Sequence, residues 1–130
     1  MITYLAKSFR QESITEPLNK GIIRYYSVMN DGSSSAKTHD EKELFLMKTA
    51  ADGIPKFSIM SLEEPDDADA EGLKVAMDKS FEKLALTINR RDHEIGMCAD
   101  GAAVNFVLYE LVKAEIGEHY LDMWCPRFRT

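Results

Sequence analysis

Glu94-Ile95-Gly96-Met97-Cys98-Ala99-Asp100-Gly101-Ala102-Ala103-Val104-Asn105 is the stretch whose reading decides the fold. Residues 94–99 form a short, largely apolar strand, and Asp100-Gly101 breaks it. A helical pattern starts at once, with Val104, Val107, Leu108, Leu111 and Val112 on one stripe. A strand that ends in an acid and turns directly into a helix places the carboxylate at the strand's C-terminal edge, where α/β sheets hold their sites. Asp100 also suits the N-cap of the following helix, accepting backbone N–H bonds at its positive end. Spacing alone leaves both readings open.

Working outward, Gly117 closes that helix, giving a span of about 102–116, and a last strand follows over 120–125 until Pro126 ends it. Upstream, Asn89 to Asp92 read as a loop. Before it, Asp69 caps a helix over 69–87 whose apolar face is Leu73, Met77, Phe81 and Leu84, with Phe81 and Leu84 facing the sheet. Glu63-Glu64-Pro65-Asp66-Asp67 is an acidic linker. Three strands precede it, over 22–30, 43–50 and 54–62. The first is β-branched or aromatic on both faces, which marks a central strand, and it stops at Asn30-Asp31-Gly32. Asp52-Gly53 is a hairpin signal, and Pro55 suits an edge strand. Residues 8–19 hold one or two helical turns interrupted by Pro17. Short connections make the first three strands antiparallel, and helical crossovers add the last two in parallel.

At 130 residues there is room for one domain, read as an N-terminal helical or irregular segment over 1–21 and a sheet domain over 22–130. A net charge of −6 argues against a domain built mainly to coat nucleic acid, which needs clustered Lys and Arg. Cys98 and Cys125 are far apart and fit no CxxC pattern, so neither a disulfide framework nor a zinc site is signalled and a reducing compartment is expected. The first residues lack the apolar core of a signal peptide, and no run approaches transmembrane length, so an intracellular protein without a membrane partner is expected.

Tyr25-Tyr-Ser-Val-Met-Asn-Asp31-Gly-Ser resembles the segment carrying the first catalytic aspartate of hAT-superfamily transposases and of their domesticated zinc-finger-type relatives. Pro65-Asp-Asp-Ala-Asp-Ala-Glu-Gly-Leu73 is similar to that family's run into its first core helix. Ala99-Asp100-Gly101-Ala102-Ala103-Val104-Asn105 resembles the segment of the second catalytic aspartate. The resemblance implies an RNase H-like α/β fold: a mixed sheet of three antiparallel strands followed by two parallel strands with crossover helices. It implies a nuclear setting, DNA or a protein as partner, and metal-dependent phosphoryl transfer in which an Asp-Asp-Glu triad holds Mg²⁺ or Mn²⁺. Asp31 matches the first position and Asp100 the second, both as catalytic residues and as metal ligands.

The chain departs from that pattern in three places. The family's third acid lies beyond residue 130, so the triad is incomplete and the pair is vestigial. Phe128 stands where a histidine usually follows Cys125, and Phe106-Val-Leu-Tyr109 replaces a glycine-containing turn. The chain therefore reads as the first half of a catalytic core. One reading makes it an inactive interaction module for protein or nucleic acid. The other makes it a metal-dependent nuclease or strand-transfer fragment that needs an acid from elsewhere, with Glu110, Glu115 or Asp122 as local candidates. A plain α/β domain with capped turns at Asp31 and Asp100 is the third. His39, His93 and His119 show no ligand spacing. Tyr25, Tyr26 and Trp124 sit within strand patterns and are expected in the core.

Overall fold

The computed structural model of the protein describes residues 8–34, 41–50, 53–67, 69–99 and 103–124. Five strands form one sheet: β1 (Tyr26–Ser34), β2 (Glu41–Thr49), β3 (Lys56–Glu63), β4 (Glu94–Ala99) and β5 (Leu121–Trp124), in the order β3-β2-β1-β4-β5. β1 pairs antiparallel with β2, and β2 with β3. β1 pairs in parallel with β4, and β4 with β5. This is the RNase H-like mixed sheet expected, with β1 central and β3, just after Pro55, at an edge.

A π-helical turn (Gln11–Thr15) continues into α1 (Glu16–Asn19), with Pro17 the second residue of α1. α2 (Ala70–Glu82) begins at Asp69, whose carboxylate accepts from the Gly72 N–H at 2.8 Å. α4 (Ala103–Ile116) is the second crossover helix. Residues 89–92 are not a plain loop. Asn89 caps a single turn, α3 (Arg90–His93), by accepting from the Arg91 N–H at 3.0 Å.

Two strand limits differ from the sequence expectation. Ile22 and Ile23 do not join β1, because both N–H groups donate to the Pro17 carbonyl at 2.9 and 3.1 Å, tying them to α1. At its other end β1 runs through Asn30-Asp31-Gly32 to Ser34, held by continuous pairing with β2 as far as Glu41. Turn-forming residues are tolerated in a strand when a partner strand satisfies their backbone.

Leu73, Met77 and Phe81 of α2 and Leu108, Val112 and Ile116 of α4 share one buried cluster with Tyr26, Val28, Phe45, Met47, Met60 and Met97 of the sheet. Both crossover helices therefore lie on the same face. Phe81 and Leu84 are buried as expected, and Ile14 and Leu18 of the N-terminal segment enter the same core. Val107 and Tyr25 are exposed instead, at 54% and 57%. Val107 turns away from the sheet on α4, and Tyr25 points to the face that carries no helix among the described residues.

That second face is laid out by the register. Phe57, Lys48, Ser27, Gly96 and Leu121 form one cross-strand row. Ile59, Leu46, Met29, Cys98 and Met123 form the next. Leu62, Leu44 and Asp31 form a third. Phe57, Ile59, Leu62 and Leu121 are each more than half exposed.

Candidate functional site

Asp31 stands near the C-terminal end of the central strand, opposite Leu44 and half-buried. Asp100, Cys125 and Phe128 lie outside the described residues, as does His39, so the geometry reports one half of the expected carboxylate pair. The backbone frame for the other half is present. Met29 of β1 is in register with Cys98 of β4, and each is two residues before one of the two aspartates.

Around Asp31 the strand end is rich in oxygen ligands that the sequence reading did not single out. Asn30, 3% exposed, points to the opposite face from Asp31, since side chains alternate along a strand. Its amide Nδ2 donates to Asn105 Oδ1 of α4 at 3.3 Å and to Glu43 Oε2 of β2 at 3.5 Å. The Glu43 carboxylate lies flat against Gly32, where a Cβ would overlap it. Glycine at 32 is what lets this acid sit over the end of β1. Asp31, Glu43 and Asn105 have further interactions besides these. Carboxylate and amide oxygens are hard donors of the kind Mg²⁺ takes, but Asn30, Glu43 and Asn105 gather on the face opposite Asp31. Among the described residues, no three His, Cys, Asp or Glu side chains converge in a way that could hold a metal.

The local substitutes for a third acid stand elsewhere. Glu110 is exposed on α4, and Asp122 is exposed on the edge strand β5. Glu115 is taken up in an ion pair with Lys74 at 2.5 Å. His119 is exposed, and His93 Nδ1 lies 2.6 Å from the Arg24 carbonyl oxygen. The side chain of Trp124 is not among those described, while Tyr26 is buried in the core.

A densely bonded acid is Glu94, at the opposite end of β4 and fully buried. Arg90 Nε donates to Oε1 at 2.9 Å, Tyr120 Oη donates to Oε2 at 2.7 Å, and Tyr26 Oη donates to Oε1 at 3.3 Å. Arg90 also reaches Asp78 at 3.2 Å, and its guanidinium carbon lies 3.8 Å from the Phe81 ring centroid. Burial first, and then the Glu94 charge, push both tyrosine hydroxyls far above the ordinary phenol range. Burial alone would lower the Arg90 pKa, but Glu94 more than reverses that and fixes the guanidinium as a cation. The only hint of this centre in the sequence is the i, i+4 spacing of Arg90 and Glu94. Its place beneath the helices, away from the ends of β1 and β4 that point toward the aspartates, makes it a structural clamp.

No family model and no curated protein matches the chain. Among solved structures it is similar to the Drosophila P element transposase in its strand transfer complex, at 8% identity and a TM-score of 0.48. The match covers 93% of this chain and 30% of that one, so the chain spans under a third of the transposase's length. Among the described residues no helix is long and apolar enough to cross a membrane.

Proposed function

We propose that this chain is a transposase-derived RNase H-like domain of the hAT type, which retains the Asp31–Asp100 carboxylate pair for Mg²⁺ or Mn²⁺ but does not cut DNA by itself. It acts as an interaction module in the nucleus, with DNA or a protein as partner. The observation that carries the reading is the Met29–Cys98 register, which starts the last two residues of approach to each aspartate from neighbouring points on parallel strands. The resemblance of residues 94–105 to the second-aspartate segment and the β3-β2-β1-β4-β5 order add to it. Divalent ions held by a set of acids would supply activation of an attacking oxygen and stabilisation of a leaving one. Asp31 and Asp100 supply two, and much of the coordination is left to water.

Titration of Mn²⁺ into the purified chain, followed by the loss of its free electron-spin signal, tests this. Weak binding that disappears in Asp31→Asn and in Asp100→Asn, with no nicking of supercoiled DNA, is the expected result. Binding indifferent to both changes returns Asp100 to a helix cap. Metal-dependent nicking by the isolated chain, lost in both variants, establishes a nuclease completed by a local acid.

A further inference from the structure

Met29, Asn30 and Asp31 follow one another on β1, and the first two are tied to either side of the segment that carries Asp100. Met29 is in register with Cys98, two residues before Asp100. Asn30 Nδ2 donates at 3.3 Å to Oδ1 of Asn105, in the first turn of α4 and five residues after Asp100. A second long bond, to Glu43 Oε2 of β2 at 3.5 Å, orients the same amide. Between the two anchors, Asp100-Gly101-Ala102 joins β4 to α4. Gly101 has no side chain and Ala102 no polar one, so neither can fix the connection through a side-chain hydrogen bond of its own. An amide is also an unfavourable choice at position 30. It stands in the helix-facing row of β1 with buried Tyr26 and Val28, opposite buried Phe45. Its Oδ1 has no hydrogen-bond partner among the described residues, and a buried unsatisfied oxygen carries a cost that a leucine of similar size avoids. What the amide adds over leucine is its hold on Asn105.

We infer that Asn30 is a positioning residue: by holding Asn105 it fixes the start of α4, and with it the connection that carries Asp100, relative to Asp31. The side chain does not act as a ligand beside Asp31, because the two point to opposite faces of the sheet. It acts through the chain on the far side of the connection, as the Met29–Cys98 register acts on the near side. A core strut and a positioning residue respond differently when cut. Exchanging a buried amide with an unsatisfied oxygen for an apolar group of the same shape is close to neutral for stability. Glu43 and Asn105 are only half-buried and can turn to water when the amide is gone. Loss of Asn30 should therefore loosen the first turn of α4 and leave the fold intact. The inference deepens the metal-site reading and rests on it for the effect on metal affinity, whereas the hold on α4 is measured without metal.

The test compares the whole chain with Asn30→Leu, Asn105→Leu and Asn105→Asp by amide hydrogen exchange, Mn²⁺ titration and urea melts. The amides of residues 107–109 report on the start of α4, since their acceptors are the carbonyls of residues 103–105. Both leucine variants should speed exchange there about five- to tenfold, as expected for one lost hydrogen bond, with exchange in β2 and β3 and the urea midpoint unchanged. Asn105→Asp keeps an acceptor for the Asn30 amide and should exchange as the wild type does. Mn²⁺ should bind each leucine variant more weakly by a similar factor, and the double leucine variant should lose no more than either single one. Wild-type exchange at 107–109 in both leucine variants overturns the proposal. A fall in the Asn30→Leu urea midpoint with faster exchange throughout the sheet also overturns it, by making the amide a core strut. Faster exchange at 107–109 with unchanged Mn²⁺ affinity does the same, since the tie then does not set the site. A wild-type chain that binds no Mn²⁺ sinks the metal reading instead, and exchange at 107–109 then decides the positioning claim by itself.

Discussion

Arg90 Nε and Glu94 Oε1 lie 2.9 Å apart, the arginine at the start of a single helical turn and the glutamate at the first residue of the strand that turn feeds. The contact joins α3 to β4, and through Asp78 and the hydroxyls of Tyr26 and Tyr120 it ties α2, β1 and the approach to β5 to the same carboxylate. Removing one partner of a buried, hydrogen-bonded ion pair leaves an uncompensated charge and typically costs about 3–5 kcal/mol. Arg90→Met and Glu94→Gln should each destabilise the chain by about 3 kcal/mol or more, at the lower end because Arg90 keeps Asp78. The double variant should lose clearly less than the sum of the two in urea melts. Strict additivity would mean that the pair is not a unit.

The same carboxylate governs the tyrosines. An ordinary phenol ionises near pH 10, but burial and then the Glu94 charge push Tyr26 and Tyr120 far above that value. A folded-state pKa raised above the unfolded one gives stability that is complete below the unfolded value and is lost as pH rises above it. Two of the five tyrosines should therefore stay un-ionised until the chain unfolds, and alkaline unfolding should release them together. Ultraviolet difference titration counts them. Smooth ionisation of all five near pH 10 in a folded chain would contradict the buried geometry.

Glu63 predicts the acid side. It is buried at the end of β3 and accepts from Lys83 Nζ at 2.6 Å. Burial tends to raise its pKa, but hydrogen bonds from Lys83 and Ser61 outweigh that and hold the carboxyl below its ordinary value. A depressed folded pKa gives stability that is present above the unfolded value, near pH 4.3, and lost as pH falls through the folded one. Because the Lys83 side chain is nearly half exposed, the pair should contribute no more than about 1 kcal/mol. Glu63→Gln should lower stability by that amount at pH 7 and by less near pH 3, measured by urea melts at the two pH values. An equal loss at both would assign the effect to packing and not to charge.

How much of this was legible in the sequence follows from what the sequence encodes. Strand order was readable because a short hairpin connection forces antiparallel neighbours and a helical crossover forces parallel ones. The sidedness of β3 was not. Phe57, Ile59 and Leu62 face outward while Ser58 and Ser61 join Met60 on the side of the helices, Ser61 donating to Ser80 of α2 at 2.7 Å. Two small hydroxyl residues let the helix pack against the strand, and no periodicity signals which alternate set is covered. Asp31 was legible as an acid at a strand end. Glu94 was not: the pattern puts it at the start of the strand over 94–99, but its burial depends on Tyr26 and Tyr120 arriving from two other elements. Glu43 was read only as the start of a strand. Its position over Gly32 is set by the β1–β2 register, which residue types alone do not fix.

Two glycines separate a rigid contact from a yielding one. A Cβ on Gly96 would overlap the Leu121 backbone oxygen and approach the Met123 methyl at 2.9 Å, so β5 itself would have to move away from β4. A Cβ on Gly32 would overlap only the carboxylate end of Glu43, the far end of a flexible side chain. Gly96→Ala should therefore cost about 2–3 kcal/mol, in the range of overpacked positions. It should also speed amide exchange in residues 121–124, the parallel strand held on one side only by β4. Gly32→Ala should cost under about 1 kcal/mol and leave exchange in β5 unchanged. Its effect should centre on Glu43, whose displacement removes one of the two acceptors of the Asn30 amide and should shift the Asn30 side-chain amide resonance. Equal costs for the two substitutions, or a larger one for Gly32→Ala, would mean that the β4–β5 contact is loose and that the strand end around Asn30 is the rigid one.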